Sequence, residues 1–227
     1  MPARVVVFDA YGTLFDVTAA ARVAAAEPAF AQLAAVWPRL AADWRRKQLE
    51  YSWLRTIMGL HADFARVTAQ ALDWALAAQG LDDPALRARL LALYDRLETY
   101  PEVPGMLAAL ARAGLPAAIL SNGAPAMLAA AVGHAGIGGH LAAVLSVEEA
   151  GMFKPAPQVY ALVGARFDVG PAQVLFVSSN GWDVAGAAAF GFRTVWVNRA
   201  ADPVDRLPHG PAHELPDLTR IPELALS

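Results

Sequence analysis

The 227-residue chain contains no cysteine, few charges and no long hydrophobic run, and each absence excludes something. Without cysteine there is no disulfide framework, no thiolate nucleophile and no cysteine metal site, and a reducing, cytoplasmic setting is expected. Charged residues make up 17% of the chain, with 18 Lys+Arg against 21 Asp+Glu, and the net charge of −3 leaves no basic surface for nucleic acid. The hydrophobic fraction of 56% is high, but 51 residues are alanine, so the excess is small side chains rather than large ones. The longest stretch without Asp, Glu, Lys or Arg, 113–147, is broken by Pro116, Ser121-Asn122-Gly123, Pro125 and Gly138-Gly139. It cannot supply the ~20 apolar residues of a membrane span. At the N-terminus only Val5-Val6-Val7-Phe8 is continuously apolar before Asp9, too short for an export segment.

What is present alternates. Short β-branched runs at 4–8, 117–120, 143–146, 174–177 and 194–197 read as buried strands, with helical stretches at 104–113, 126–135, 157–167 and 182–190. That order predicts an α/β fold, a Rossmann-like parallel sheet with helices on both faces. From about 17 to 97 there is only helical patterning, with Leu40, Trp44, Tyr51, Leu54 and Met58 on one apolar stripe and Arg45 and Leu49 on an adjacent face. This predicts an all-helical cap, 17–97, inserted into a core made of 1–16 and 98–227. Ligands of open α/β sheets bind beyond the carboxyl ends of the strands, where such a cap would enclose them. The tail after Arg199 reads as loop with a short final helix.

Polar clusters follow four core strands. Asp9, in Asp9-Ala10-Tyr11-Gly12-Thr13, is either a turn residue or a carboxylate nucleophile, with Gly12 allowing a sharp turn and Thr13 able to hold the carboxylate or a water. Ser121-Asn122-Gly123 is either a plain turn or an anion site. Lys154, between Phe153 and Pro155, is either solvated or directed inward. Ser178-Ser179-Asn180-Gly181-Trp182-Asp183 either caps a helix or holds and activates a water. Each signal is modest alone; their recurrence on one edge of one sheet is not.

The ordered set Asp9, Ser121-Asn122, Lys154, Ser178-Ser179-Asn180 and Asp183 resembles the haloacid dehalogenase superfamily, from Val5 to about Asn198. Two phrases narrow the resemblance to the L-2-haloacid dehalogenases: Trp44-Arg45-Arg46-Lys47-Gln48-Leu49-Glu50-Tyr51-Ser52-Trp53-Leu54-Arg55 and Leu175-Phe176-Val177-Ser178-Ser179-Asn180-Gly181-Trp182-Asp183. Phosphatases of the superfamily carry a second Asp two residues after the nucleophile; here that position is Tyr11, whose ordinary pKa of about 10 suits it poorly to acid–base work. They also carry a Gly-Asp pair where this chain has Ser178-Ser179, leaving a Mg²⁺ site short of carboxylates.

The resemblance implies metal- and cofactor-independent hydrolysis of an L-2-haloalkanoic acid to the D-2-hydroxy acid and halide, with inversion. In that scheme Asp9 forms an ester, Arg45 receives the halide with Asn180 assisting, and Lys154 offsets the charge of Asp9. Ser121 and the N–H groups of Ala10 and Asn122 hold the substrate carboxylate. Asp183 activates a water held by Thr13, Ser178 and Asn180, and Tyr160 supports Asp183 and Lys154. Tyr11, Leu49, Phe64 and Trp182 form the apolar wall. Arg46, where many relatives have Gln, adds positive charge and bears on pocket size. A homodimer is expected, through cap residues such as Tyr51, Trp53 and Leu54; no nucleic-acid or membrane partner is. The rival readings are a Mg²⁺-dependent phosphatase of the same fold and a catalytically silent binding protein.

Overall fold

A computed structural model describes residues 2–227. The chain divides into two compact units: one of residues up to Phe15, Thr99–Asn122 and Gly136–Ser227, the other of Asp16–Glu98 and Gly123–Ala135.

The first unit is built on a six-stranded, wholly parallel sheet of order β3-β2-β1-β4-β5-β6. The strands are β1 (Val5–Phe8), β2 (Ala117–Ser121), β3 (Ala143–Ser146), β4 (Val174–Ser178), β5 (Arg193–Val197) and β6 (His213–Leu215). Successive residues of a strand point to opposite faces. All four residues of β1 are nonetheless fully buried, so both of its faces are covered, which explains the unbroken Val-Val-Val-Phe run. Four helices belong to this unit: α5 (Val103–Arg112) against β2, α7 (Pro157–Phe167) against α8 (Gly181–Phe190), α8 against β4 and β5, and α9 (Ile221–Leu226) against α5. Strand order reverses at β1, whose neighbours β2 and β4 carry the chain away in opposite directions. That is where a crevice opens beyond the carboxyl ends.

Strand β6 corrects the expectation of loop after Arg199. Its three residues pair with β5, Val195 opposite His213 and Val197 opposite Leu215. Two of the three are exposed, so this edge strand carries no hydrophobic run to betray it.

The second unit is helical: α1 (Ala19–Ala25), α2 (Trp37–Met58), α3 (Phe64–Ala78), α4 (Pro84–Tyr94) and α6 (Pro125–His134), with a 3₁₀ segment at Pro28–Leu33. Asp63 and Asp83 cap α3 and α4, accepting the amides of Arg66 and of Ala85 and Leu86. Gly59, at φ 66°, ends α2 in the left-handed conformation. The apolar stripe expected along α2 holds only in its first half: Leu40 and Trp44 are buried, whereas Leu54 and Met58 are 45% and 58% exposed. The buried row continues instead through Gln48 and Ser52. Gln48 Nε2 donates to Thr68 Oγ1 (2.8 Å) and lies 3.2 Å from the Tyr94 hydroxyl, and Trp44 Nε1 donates to the Thr68 carbonyl (2.9 Å). The buried amide is thus satisfied by α3 and α4.

Candidate active site

The site begins where β1 ends. The Ala10 carbonyl accepts the amides of Thr13, Leu14 and Phe15, folding the chain into a tight loop directly after Asp9. Gly12 takes φ +89°, a left-handed conformation that favours glycine, and a Cβ there would crowd Ser179 Oγ at 3.1 Å. The loop turns Thr13 back onto Asp9: its hydroxyl is 3.1 Å from Asp9 Oδ2 and 3.2 Å from Ser179 Oγ, and it accepts the Ser179 amide at 2.8 Å.

Asp9 is 6% exposed, and each of its oxygens is held. Lys154 Nζ donates to Oδ1 (3.1 Å) and Asn180 Nδ2 to Oδ2 (2.9 Å). Lys154 is fully buried, and its ammonium also reaches Asp183 Oδ2 at 2.9 Å, so one cation is shared by two carboxylates. The other oxygen of Asp183 accepts the Tyr160 hydroxyl at 2.8 Å. Tyr160 itself is wedged edge-on between Phe176 and Phe192.

These contacts set the protonation of the group. Burial pushes Lys154 down, but the Asp183 and Asp9 carboxylates outweigh it and hold the ammonium above its ordinary value. Burial pushes Asp183 up, Lys154 pulls it down, and Asp9 pushes it up again, leaving it above its ordinary value. Burial and then Asp183 hold the Tyr160 phenol well above 10. Lysine and phenol therefore keep their protons, and Asp183 accepts one more readily than an exposed carboxylate does.

The remaining residues of this unit close the cluster. Ser121 ends β2 and Asn122 follows it, both buried, and Asn122 Oδ1 accepts the Lys154 amide (3.0 Å), tying that loop to the lysine. Ser178 Oγ accepts the Asn180 amide (3.1 Å), which shapes the turn into α8. Ala10 and Tyr11 are buried beside Asp9 in sequence, with the Tyr11 ring 6.3 Å from Phe15, and Trp182 is half-buried at the start of α8. Among the described residues no group of three or more His, Cys, Asp or Glu converges to hold a metal ion. The position between Asp9 and Asp183 is filled by an ammonium.

Arg45, Leu49 and Phe64 belong to the helical unit. Arg45, half-buried on α2, lines a small cavity with Val17, Ala41, Trp44, Gln48 and Tyr94, and its Nη1 donates to Gln48 Oε1 at 2.8 Å. Leu49 is half-buried on the same helix, and Phe64 is fully buried at the first turn of α3. Arg46 is paired along its own helix with Asp43 (3.0 Å) and Glu50 (3.4 Å).

Sequence reasoning assigned nothing to Ser179, Trp196, Gly186 or Arg199. Trp196 Nε1 donates to the Ser179 carbonyl (3.1 Å), a contact across β4 and β5 foreshadowed only by strand register. Gly186 leaves the gap that the Tyr160 hydroxyl fills. Arg199 appeared only as the start of a loop.

The sequence profile of the haloacid dehalogenase-like hydrolases matches residues 3–191. The (S)-2-haloacid dehalogenase of Xanthobacter autotrophicus is 49% identical over 197 residues, covering 86% of this chain and 75% of that protein. (S)-2-haloacid dehalogenase 1 of Pseudomonas sp. (strain CBS-3) is 44% identical over 226 residues, covering 99% and 97%. Among solved structures, the L-2-haloacid dehalogenase from Xanthobacter autotrophicus with chloropropionic acid covalently bound superposes with a TM-score of 0.87 at 40% identity, over 98% of each chain.

Proposed function

Because the chain belongs to the haloacid dehalogenase-like hydrolases, among the (S)-2-haloacid dehalogenases, we propose that it hydrolyses L-2-haloalkanoic acids to D-2-hydroxy acids and halide, with inversion and through an ester on Asp9. The observation that carries this reading is the Asp9 carboxylate, buried at the end of β1 with Oδ1 on Lys154 and Oδ2 on Thr13 and Asn180.

An Asp9 oxygen attacks C2 in line; the carbon–halogen bond breaks and the halide leaves with its electron pair. No proton is needed by that leaving group, so Tyr11 can stand where a phosphatase needs an acid. Lys154 keeps its proton and offsets the negative charge of Asp9 as an anionic substrate approaches. Arg45 and the Asn180 amide receive the halide, and Ser121 with the Ala10 and Asn122 amides receives the substrate carboxylate. A water held by Thr13, Ser178 and Asn180 then gives a proton to Asp183, whose raised pKa suits it to accept one, and attacks the Asp9 carbonyl carbon. The hydroxy acid departs, taking that proton; one water oxygen stays in Asp9, and the water's second proton leaves the Asp9 carboxyl for solvent. Attack at C2 instead would invert twice and give net retention. Tyr160 orients Asp183.

In the same reading 17–97 acts as the cap and brings Arg45, Leu49 and Phe64 to the substrate, with Tyr11 and Trp182 completing an apolar wall. The enzyme works in the cytoplasm without metal or cofactor. It pairs with a second copy through α2, whose Leu54, Ile57 and Met58 are exposed. The test is incubation with L-2-chloropropionate plus a chelator: chloride and D-lactate are expected in equal amounts. Turnover confined to phosphate esters with Mg²⁺ would replace the reading by the phosphatase.

A further inference from the structure

Arg199 lies just beyond β5 and far along the chain from Asp9 and Thr13. The strand end that presents it is pinned: the Asn198 amide donates to the Leu215 carbonyl (2.8 Å), and the Asn198 side chain bonds Glu214 (2.7 Å) and both backbone groups of Asp202 (2.9 Å each). From there one nitrogen of the guanidinium, Nη2, bridges two acceptors, the Glu102 carboxylate at 2.7 Å and the Thr13 carbonyl at 3.1 Å. The guanidinium carbon, Cζ, lies 3.6 Å from the centre of the Tyr100 ring. Its Nε is buried without a hydrogen-bond partner, a cost that the other contacts must offset.

The groups it joins belong to two adjacent segments of the chain. Thr13, Leu14 and Phe15 end the nucleophile loop, and Thr99 to Glu102 run alongside it, stitched by the Tyr100 amide to the Leu14 carbonyl (3.0 Å) and by an antiparallel bridge between Phe15 and Thr99. Glu102 is fixed from a further side by the Leu218 amide (3.5 Å). Arg199 therefore clamps the peptide of the residue whose hydroxyl touches Asp9 Oδ2 and takes the Ser179 amide.

We infer that Arg199 is a positioning residue for the reaction proposed above: it holds the Thr13 backbone so that the Thr13 hydroxyl stays on Asp9. The inference rests on that functional reading for its kinetic consequence but not for its structural one. A guanidinium suits this place better than an ammonium, because its Cζ rests over the Tyr100 ring while Nη2 reaches both Glu102 and Thr13.

The test is a double-mutant cycle on the full-length enzyme. Arg199→Ala is expected to lower kcat for chloride release about 10- to 100-fold with KM little changed, as a small misplacement of a reacting group does. Arg199→Lys, which keeps the charge beside Glu102 and so guards against failure to fold, is expected to lower it in the same direction. Arg199→Ala in a Thr13→Val background should add less than threefold, since the group it positions is already gone. Backbone hydrogen exchange gives an activity-free readout: the Ser179 amide, bonded to Thr13 Oγ1, should exchange faster in both Arg199 variants, and the β1 amides should not. Multiplicative effects in the cycle, or an unchanged Ser179 amide, overturn the inference and leave Arg199 a purely structural ion pair. A wild-type enzyme inert towards haloacids overturns the functional reading instead, and the exchange result still stands or falls alone.

Discussion

Adding one methyl group at Gly186 should slow the second half of the reaction without unfolding the protein. A Cβ there would stand 2.7 Å from the Tyr160 hydroxyl and 2.6 Å from Pro155 Cβ, closer than carbon atoms approach in folded proteins. Gly186 and Asp183 lie three residues apart on α8, hence on one face of it. Restoring an ordinary contact of at least 3.4 Å pushes the phenol off α8, and so off Asp183 Oδ1, now 2.8 Å away. That bond then approaches the limit of useful geometry, about 3.5 Å. The ring cannot swing aside, being packed against Phe176, Phe190 and Phe192. Overpacking costs about 1–3 kcal/mol, and replacing glycine by alanine inside a helix returns about 1 kcal/mol. A net loss of about 0–2 kcal/mol lowers Tm by no more than about 8 °C for a chain of this length. The Tyr160 hydrogen bond lowers the pKa of Asp183, so weakening it raises that pKa further. Gly186→Ala should therefore accumulate the Asp9 ester, slow its hydrolysis about 10- to 100-fold and move the acid limb of hydrolysis to higher pH. Stopped-flow burst kinetics with a pH series, alongside a thermal melt, reads all three. A wild-type pH profile, or an equal further loss when Gly186→Ala is placed on Tyr160→Phe, would refute the reasoning.

Asp183→Asn should permit one round of halide release and then stall, with mass spectrometry finding the substrate's mass added at Asp9; an adduct elsewhere defeats the assignment. In ¹⁸O-water, single turnover of the wild type should leave the label in Asp9 and not in the product. Lys154→Met leaves two buried carboxylates without their shared cation and should destabilise by about 3–5 kcal/mol, read by denaturant unfolding at pH 7. Because the folded-state pKa of Lys154 lies above 10.5, its stabilising contribution is present throughout neutral pH and is lost only as pH rises through that folded value. The stability gap between wild type and Lys154→Met should accordingly persist through neutral pH and close only above 10.5. Asp183, raised above 3.8, loses its capacity as a base on acidification earlier than an ordinary carboxylate, so ester hydrolysis should fail at a higher pH than it would with an exposed carboxylate as base.

Much of this was legible in the sequence because it is written locally. Val5-Val6-Val7-Phe8 is a buried strand by composition alone, and the acids and amides that follow four such strands fall on one sheet edge once the strands are parallel. What escaped is written across the chain. The bond between Trp196 and Ser179 depends on which strands neighbour each other, and Gly186 has no side chain to announce that its absence is the point. Arg199 reads only as the start of a loop until Thr13 and Glu102 are brought to it. The second half of α2 misled in the opposite direction: its apolar spacing is regular, yet Leu54 and Met58 face outward while a polar row of Gln48 and Ser52 goes inward, because Thr68 and Tyr94 supply partners that periodicity cannot foresee.

The nucleophile is attached to the part of the molecule that opens last. β1 is bonded on both edges and exposes none of its residues, so its amides should be released only when the whole sheet comes apart, with Asp9 one residue beyond them. Thermal inactivation of ester formation and global melting should then share one midpoint, and no population should exist that keeps the sheet but has lost its carboxylate.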